Sequence, residues 1–206
     1  MKTGNKMTDL STGPHIEGMR RTKKEERGVR IQMEICTAKS GDVDEIMEIM
    51  EESFRTAESP EWYVTDSREY VLDHTQGEGF ILKAVEEGKI LAFLIVHIPE
   101  PEEDELGGFL GLPWEERKRC AYMDSVSVCP RARGRGLMGM LLEEAEKRLE
   151  REGIRHLLGT VHPQNRFSRN NVLRLGYREA GQARLYGGLP RVIIHKEIGG
   201  NGSAEG

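Results

Sequence analysis

An aspartate inside an apolar strand and, nine residues later, a loop of arginines and glycines are the residues of this chain best suited to chemistry. Both lie in the stretch Met123-Asp124-Ser125-Val126-Ser127-Val128-Cys129-Pro130-Arg131-Ala132-Arg133-Gly134-Arg135-Gly136-Leu137-Met138. A glycine loop that feeds a helix presents unpaired backbone N–H groups and the positive end of the helix dipole, which is how chains hold phosphates. Flanking arginines add charge and forked donors. The loop therefore predicts a site for a phosphorylated ligand, with Arg133 and Arg135 where a phosphate would sit and Arg131 as solvated surface. Asp124 carries a different implication, because a desolvated carboxylate is costly unless it is paired. It reads either as a base placed to relay a proton through a water or as a structural carboxylate bonded to loop backbone.

These residues need a strand, a loop and a helix in succession, and the surrounding pattern supplies them. Cys120 to Val128 reads as a strand. Leu137 to Arg151 reads as an amphipathic helix with Leu137, Met140, Leu141, Ala145 and Leu149 as its buried stripe. Upstream, Ile31 to Ala38 alternates apolar and polar residues as a strand does. Asp42 is an N-cap for a helix through Phe54, with Val43, Ile46, Met47, Met50 and Phe54 on one face. A weaker helix spans Ser67 to Asp73, and the strands Phe80 to Val85 and Ile90 to Ile98 meet at the turn Glu86-Glu87-Gly88-Lys89. Glu100 to Arg117 is an acidic insertion with Pro101 and Pro113. Downstream come a strand from Ile154 to Val161, a short helix from Arg166 to Leu175, and a last pair of strands from Tyr177 to Glu197. The order β-α-α-β-β-β-α-β-α-β-β implies one α/β or α+β domain over residues 31–198, a mixed sheet covered by helices. Residues 1–30 read as a disordered, slightly basic arm and 199–206 as a disordered tail.

Composition excludes several classes of function. A length of 206 residues suits one well-buried domain. A net charge of -5 argues against a general nucleic-acid binder, whose affinity rests on a basic surface. The sequence has no apolar run of the roughly 20 residues that a membrane span needs. Cys36, Cys120 and Cys129 show neither pairing nor metal-ligand spacing, so no metal is expected. An odd cysteine count and a polar N-terminus without a signal core fit a cytoplasmic protein.

The phosphate loop fails two common templates. A P-loop needs a lysine and a hydroxyl residue after its last glycine, where this chain has Leu137 and Met138. A dinucleotide fingerprint follows the first strand and carries a third glycine, whereas this loop follows the fourth strand and lacks one. Val128-Cys129-Pro130 followed by Arg133-Gly134-Arg135-Gly136-Leu137-Met138, with Leu141-Leu142 in the helix, instead resembles the acyl-CoA loop of the GNAT superfamily of N-acetyltransferases. Met138 departs from that family's pattern, standing where a small residue is usual, so its side chain would have to turn away from the ligand. Thr160-Val161-His162-Pro163-Gln164-Asn165, a short helix and Leu175-Gly176-Tyr177 resemble the family's second cofactor-side segment.

The resemblance implies a GNAT-type fold: a mixed, mostly antiparallel sheet of six to seven strands flanked by about four helices. It implies acetyl-CoA as acyl donor, held by Arg133, Gly134, Arg135, Gly136, Leu137 and Met138 at the pyrophosphate. Val126, Ser127, Val128 and Asn165 would meet the pantetheine arm, in a gap where the fifth strand splays from the fourth. A backbone N–H of the Val126 to Val128 segment would stabilise the oxyanion, and Asp124 would serve as base toward an amine acceptor. The family's usual acid tyrosine is missing, since Val172 occupies its position. Tyr122 and Tyr186 remain as substitutes, and Tyr177 and His162 read as structural. The acceptor is a primary amine of a small molecule, peptide or protein. The acidic insertion would attract a cation, and Trp62, Tyr63 and Trp114 would either line its pocket or anchor loops. A homodimer agrees with the family's habit. The alternative reading is a catalytically idle GNAT-like module that binds CoA or a partner without transfer.

Overall fold

The computed structural model describes residues 33–199; the expected arm and tail lie outside this range, apart from Gly199. Seven strands form one sheet in the order β1-β2-β3-β4-β5-β7-β6. In chain order they are β1 (Glu34–Thr37), β2 (Gly79–Glu86), β3 (Lys89–His97), β4 (Cys120–Val128), β5 (His156–Val161), β6 (Arg178–Leu185) and β7 (Leu189–Glu197). The helices are α1 (Val43–Arg55), α2 (Arg68–Asp73), α3 (Glu105–Phe109), α4 (Trp114–Arg117), α5 (Leu137–Arg151) and α6 (Arg166–Arg174). Every strand pair is antiparallel except β4 with β5. The expected element order holds, and the sheet has the seven strands at the top of the expected range.

β3 is apolar from Ile90 to Val96, and all of these residues are buried. A strand without alternation must be covered on both faces, and α1 and α5 both pack on it. The stripe of α5 is corrected at one position. Met140 is 39% exposed and Leu142 takes its place, because Leu142 turns toward the sheet beside Leu141. Phe54, expected on the buried face of α1, is 40% exposed at the last turn, where the helix runs past the sheet, while Ile49 is buried.

Asp42 precedes α1 but does not cap it with its side chain. Its carboxylate instead accepts from Lys39 N–H and from Lys83 Nζ, both at 2.7 Å, and these partners hold it below the ordinary aspartate range against the opposing effect of burial. Ser67 does cap α2, accepting from Tyr70 N–H at 3.1 Å. The 100–117 insertion is not a loop but carries α3 and α4, which raises the helix count from about four to six. It folds around Asp104, which is fully buried. That carboxylate accepts from Gly107 N–H at 2.7 Å and the Tyr122 hydroxyl at 2.6 Å, and Arg117 lies at 3.6 Å. No Cβ would fit at Gly107, since it would fall 1.9 Å from the Asp104 Oδ2 atom.

Candidate active site

Two departures from regular pairing build the site. The first is a β-bulge in β4. Ile95 pairs with Ser125 and Val96 with Met123, which leaves Asp124 as the extra residue. A bulge re-aims side chains and increases strand twist. Here it directs Asp124, Ser125 and Ser127 toward the segment that carries Tyr63, Asp66 and Tyr70. The second departure is a split. β4 and β5 pair in parallel only from Cys120–His156 to Tyr122–Leu158. β5 then stays with β7 as far as Val161, and β4 continues to Val128 against β3 alone.

A cavity of about 120 Å³ opens between the parted strands. Its walls include Met123 to Val126 of β4, Thr160 and Val161 of β5, Met138 and Leu142 of α5, and Asn165 and Val172 beside and on α6. Cys129 N–H donates to Leu91 O at 2.8 Å. Alternate residues of an antiparallel ladder bond to opposite edges, so Ser125 and Ser127 face β3 while Val126 and Val128 turn their N–H groups to the open edge.

The predicted anion cradle lies at the wide end. After a short turn at Pro130–Ala132, Gly134 and Gly136 adopt φ of +79° and +76°, a region costly for residues with a Cβ. Gly136 is the residue before α5 and offers no side-chain cap. The first helix-closing bond is Met140 N–H to Gly136 O at 3.1 Å, so the N–H groups of Leu137, Met138 and Gly139 have no acceptor among the described residues. Both guanidinium groups of the loop are engaged with protein: Arg133 donates to Thr56 Oγ1 at 2.9 Å, and Arg135 forks onto Glu86 at 2.6 and 3.0 Å. The cradle is thus made of backbone first. Met138 does not turn away from the groove but lines it, with its sulfur 3.6 Å from Asn171 Nδ2. Asn165 caps α6, accepting from Ser168 N–H at 3.1 Å, and lines the groove as well.

On the same cavity wall, Asp124 accepts from the Tyr70 hydroxyl at 2.6 Å. Asp66 accepts from Ser125 Oγ at 2.5 Å, and the Tyr63 hydroxyl bonds Ser127 Oγ. Burial pushes the Asp66 carboxyl up to about 6, with the Asp124 charge adding and the Ser125 bond opposing. Burial, then the Asp124 charge, pushes the Tyr70 hydroxyl far above its ordinary range. Behind Tyr70, His74 Nδ1 bonds its carbonyl at 2.8 Å and His74 Nε2 meets His97 Nδ1 at 3.0 Å. Asp66 was not singled out in the sequence, where Thr65-Asp66-Ser67 signals only a helix start. A second carboxylate becomes visible only when α2 packs across the bulge.

Among the expected aromatic residues, Trp62 and Tyr63 line the cavity, whereas Trp114 is 45% exposed on α4. Tyr122 is spent on structure: its hydroxyl donates to Asp104 and accepts from Leu106 N–H at 3.0 Å. The acidic insertion gives the site no buried carboxylate either, because Asp104 holds Arg117 and Tyr122 in place. Tyr186 lies on the cavity wall, its hydroxyl 3.2 Å from Thr160 Oγ1, and it keeps a φ of +50°. Tyr177 is buried, as expected.

Farther along the sheet, His156, His195 and Glu197 bring ligand-type atoms within 4.8 Å of one another. Every imidazole nitrogen there already has a hydrogen-bond partner. Arg178 donates to His195 Nδ1 at 3.3 Å, His195 Nε2 meets His156 Nδ1 at 3.0 Å, and His156 Nε2 meets Glu116 at 3.0 Å. One tautomer of each ring satisfies the whole chain, which ties α4 to β5 and β7.

A sheet split beside an uncapped helix N-terminus, with a carboxylate on a bulge across the split strand, defines the class of acyl-CoA-dependent N-acyltransferase folds. The model of the Acetyltransferase (GNAT) family matches residues 43–177, and the chain belongs to that family. No curated protein sequence matches the chain. Solved structures share its fold at low identity. The ribosomal-protein-S18-alanine N-acetyltransferase of Escherichia coli superposes with a TM-score of 0.63 at 18% identity, covering 84% of this chain and 98% of that one. The PaiA N-acetyltransferase of Thermoplasma acidophilum, in complex with coenzyme A, gives 0.62 at 17% identity over 81% and 99%. The polyamine N-acetyltransferase of Drosophila melanogaster gives 0.59 at 17% identity over 81% and 100%.

Proposed function

We propose that the protein is an N-acetyltransferase that moves an acetyl group from acetyl-CoA to a primary amine. The observation that carries this reading is the open β4 edge, toward which Val126 N–H turns, between an uncapped α5 N-terminus and Asp124. The N–H groups of Gly134 to Gly139 would hold the pyrophosphate, with Arg135 contributing if it leaves Glu86. The pantetheine arm would lie along the β4–β5 gap, against Val126, Val128, Asn165 and Met138. In the reaction the amine lone pair attacks the thioester carbonyl, and Val126 N–H receives the charge that develops on its oxygen. The amine proton passes to Asp124, directly or through a water, and the carbon–sulfur bond breaks as the CoA thiolate leaves. Asp66, whose carboxyl burial pushes up to about 6, would be a second acceptor in that relay. With Val172 at the usual tyrosine position, Tyr186 would be the acid for the thiolate, since of the other tyrosines on the wall Tyr63 is bonded to Ser127 and Tyr177 is buried.

Thiol release from acetyl-CoA across a panel of primary amines tests the reading, and no release with any amine would overturn it. With an active acceptor, Asp124→Asn is expected to lower kcat by about 10²–10⁴-fold across the pH profile. An unchanged profile would remove Asp124 as base.

A further inference from the structure

Trp62 and Arg191 of the cavity wall, with His162 stacked on Trp62, carry hydrogen-bond donors that no group among the described residues accepts. Arg191 of β7 lines the cavity with 3% of its surface exposed. Its one hydrogen bond among the described residues is from Nη1 to Pro190 O at 2.9 Å, and no carboxylate of those residues comes within ion-pair distance. A guanidinium has five donors, and burying one without an anion is expensive. The Tyr186 ring, 5.4 Å from its central carbon, offsets part of that cost.

Beside it, His162 is also 3% exposed, and its Nδ1 accepts from Gln164 N–H at 3.2 Å. The ring proton therefore sits on Nε2, a buried donor with no partner. Trp62 stacks on that imidazole with ring centroids 6.3 Å apart, and its indole N–H, a donor only, is likewise buried and unpaired. Among the described residues the acid beside His162 is Glu61, whose largely exposed carboxylate stays 3.9 Å from His162 Nε2, beyond hydrogen-bond reach, and whose charge also acts on Arg191.

We propose that Trp62, His162 and Arg191 bind a carboxylate carried by the acceptor, so that the acceptor is an aminocarboxylate. This rests on the transferase reading above. Three unspent donors, one of them a full positive charge, fit an anion, and a polyamine would press a second ammonium against Arg191. The acceptor amine would lie across Tyr186, toward Asp66 and Asp124, which are the negative groups on the same cavity wall. The site is polarised to match a zwitterion.

The test compares glycine, β-alanine and γ-aminobutyrate with their carboxamides, which keep the amine and lose only the anion. Thiol release should favour at least one free acid over its amide by about tenfold or more in kcat/KM, the weight of a charge-assisted hydrogen bond. Arg191→Gln should bring that ratio close to one, mainly through KM, and Trp62→Phe, which keeps the ring and removes the N–H, should lower it in part. Glu61→Gln should lower KM for the acid. Equal rates for acid and amide, or a ratio that survives Arg191→Gln, would overturn the proposal while leaving the transferase reading intact. If no amine releases thiol, titration of γ-aminobutyrate into the protein with CoA bound, followed by calorimetry, decides the matter separately. Heat that disappears in Trp62→Phe or Arg191→Gln supports the corner, and absent or unaltered heat overturns it. Melting curves identify any variant that fails to fold, and Trp62→Phe then carries the test.

Discussion

Asp66 and Asp124 face the same cavity but are held differently, and the difference is measurable. Asp124 is tied to the Tyr70 hydroxyl and Asp66 to the Ser125 hydroxyl. Burial lifts Asp66 from 3.8 to about 6, so its folded-state value lies above its unfolded one. Its stabilising effect is then fully present below pH 4 and is lost as pH rises through 6, because the native state holds the proton longer. Above pH 6 the ionised carboxylate is carried at a cost on the order of 3 kcal/mol. Asp66→Asn is therefore expected to be more stable than the parent in urea at pH 7.5 and to lose the decline between pH 4 and 6. In an active enzyme it should also lose any ionisation near pH 6 from the kcat/KM profile. Tyr186, with its φ of +50°, is a residue held in a sparsely populated conformation on the same wall.

At the scale of elements, the loop before α5 and the insertion on β4 make different demands. A Cβ at Gly136 would meet nothing within 4 Å, so space does not forbid alanine there. The φ of +76° does, at about 1–2 kcal/mol for an L-residue. Relaxation of that strain would swing the N–H groups at the start of α5 out of line. Gly136→Ala should therefore weaken CoA binding about tenfold by calorimetry, with only a small change in melting temperature. The insertion depends on one buried charge. Asp104→Ala leaves Arg117 without its carboxylate and Gly107 N–H without an acceptor, at about 3 kcal/mol or more of stability, read as a lower urea midpoint. Cys120, buried under the same insertion with its thiol pushed up by burial, should resist thiol reagents in the parent and react in that variant.

For the molecule as a whole, acid is the vulnerable direction through its imidazoles. Burial holds His97, His162 and His195 below the ordinary histidine value, and His195 is further opposed by His156 and Arg178. A group with a lowered folded value binds protons more readily in the unfolded chain, so stability falls as pH drops below 6.5. Urea midpoints measured from pH 7.5 to 5 should fall. They should fall more steeply in Asp66→Asn, which removes the one opposing carboxylate trend named above. A flat profile would mean that burial does not keep His97, His162 and His195 neutral.

The order of strands and helices was legible in the sequence because each element carries its own periodicity, and α5 and β3 carry it most strongly. The backbone geometry expected of an anion cradle was legible as well. Glycines at Gly134 and Gly136, before a helix lacking a side-chain cap, state a local backbone geometry that neighbours hardly alter. Local pattern failed where long-range packing decides. Asp42 lay at a helix start but was drawn to Lys83 of β2, and Glu100 to Arg117 read only as an acidic insertion until Asp104 found Tyr122 and Arg117. Arg133 and Arg135 could be placed near a phosphate by spacing, yet their present partners, Thr56 and Glu86, are 77 and 49 residues away in sequence. The bulge that exposes Asp124, the bond of Asp66 to Ser125 beside it, and the corner of Trp62, His162 and Arg191 all join residues from segments that share no local signal. The sequence by itself determined the elements and the backbone cradle, since short-range periodicity and φ preference are local. Only the tertiary structure decided which charges meet and which donors stay unpaired, because both depend on burial, a property of the folded whole.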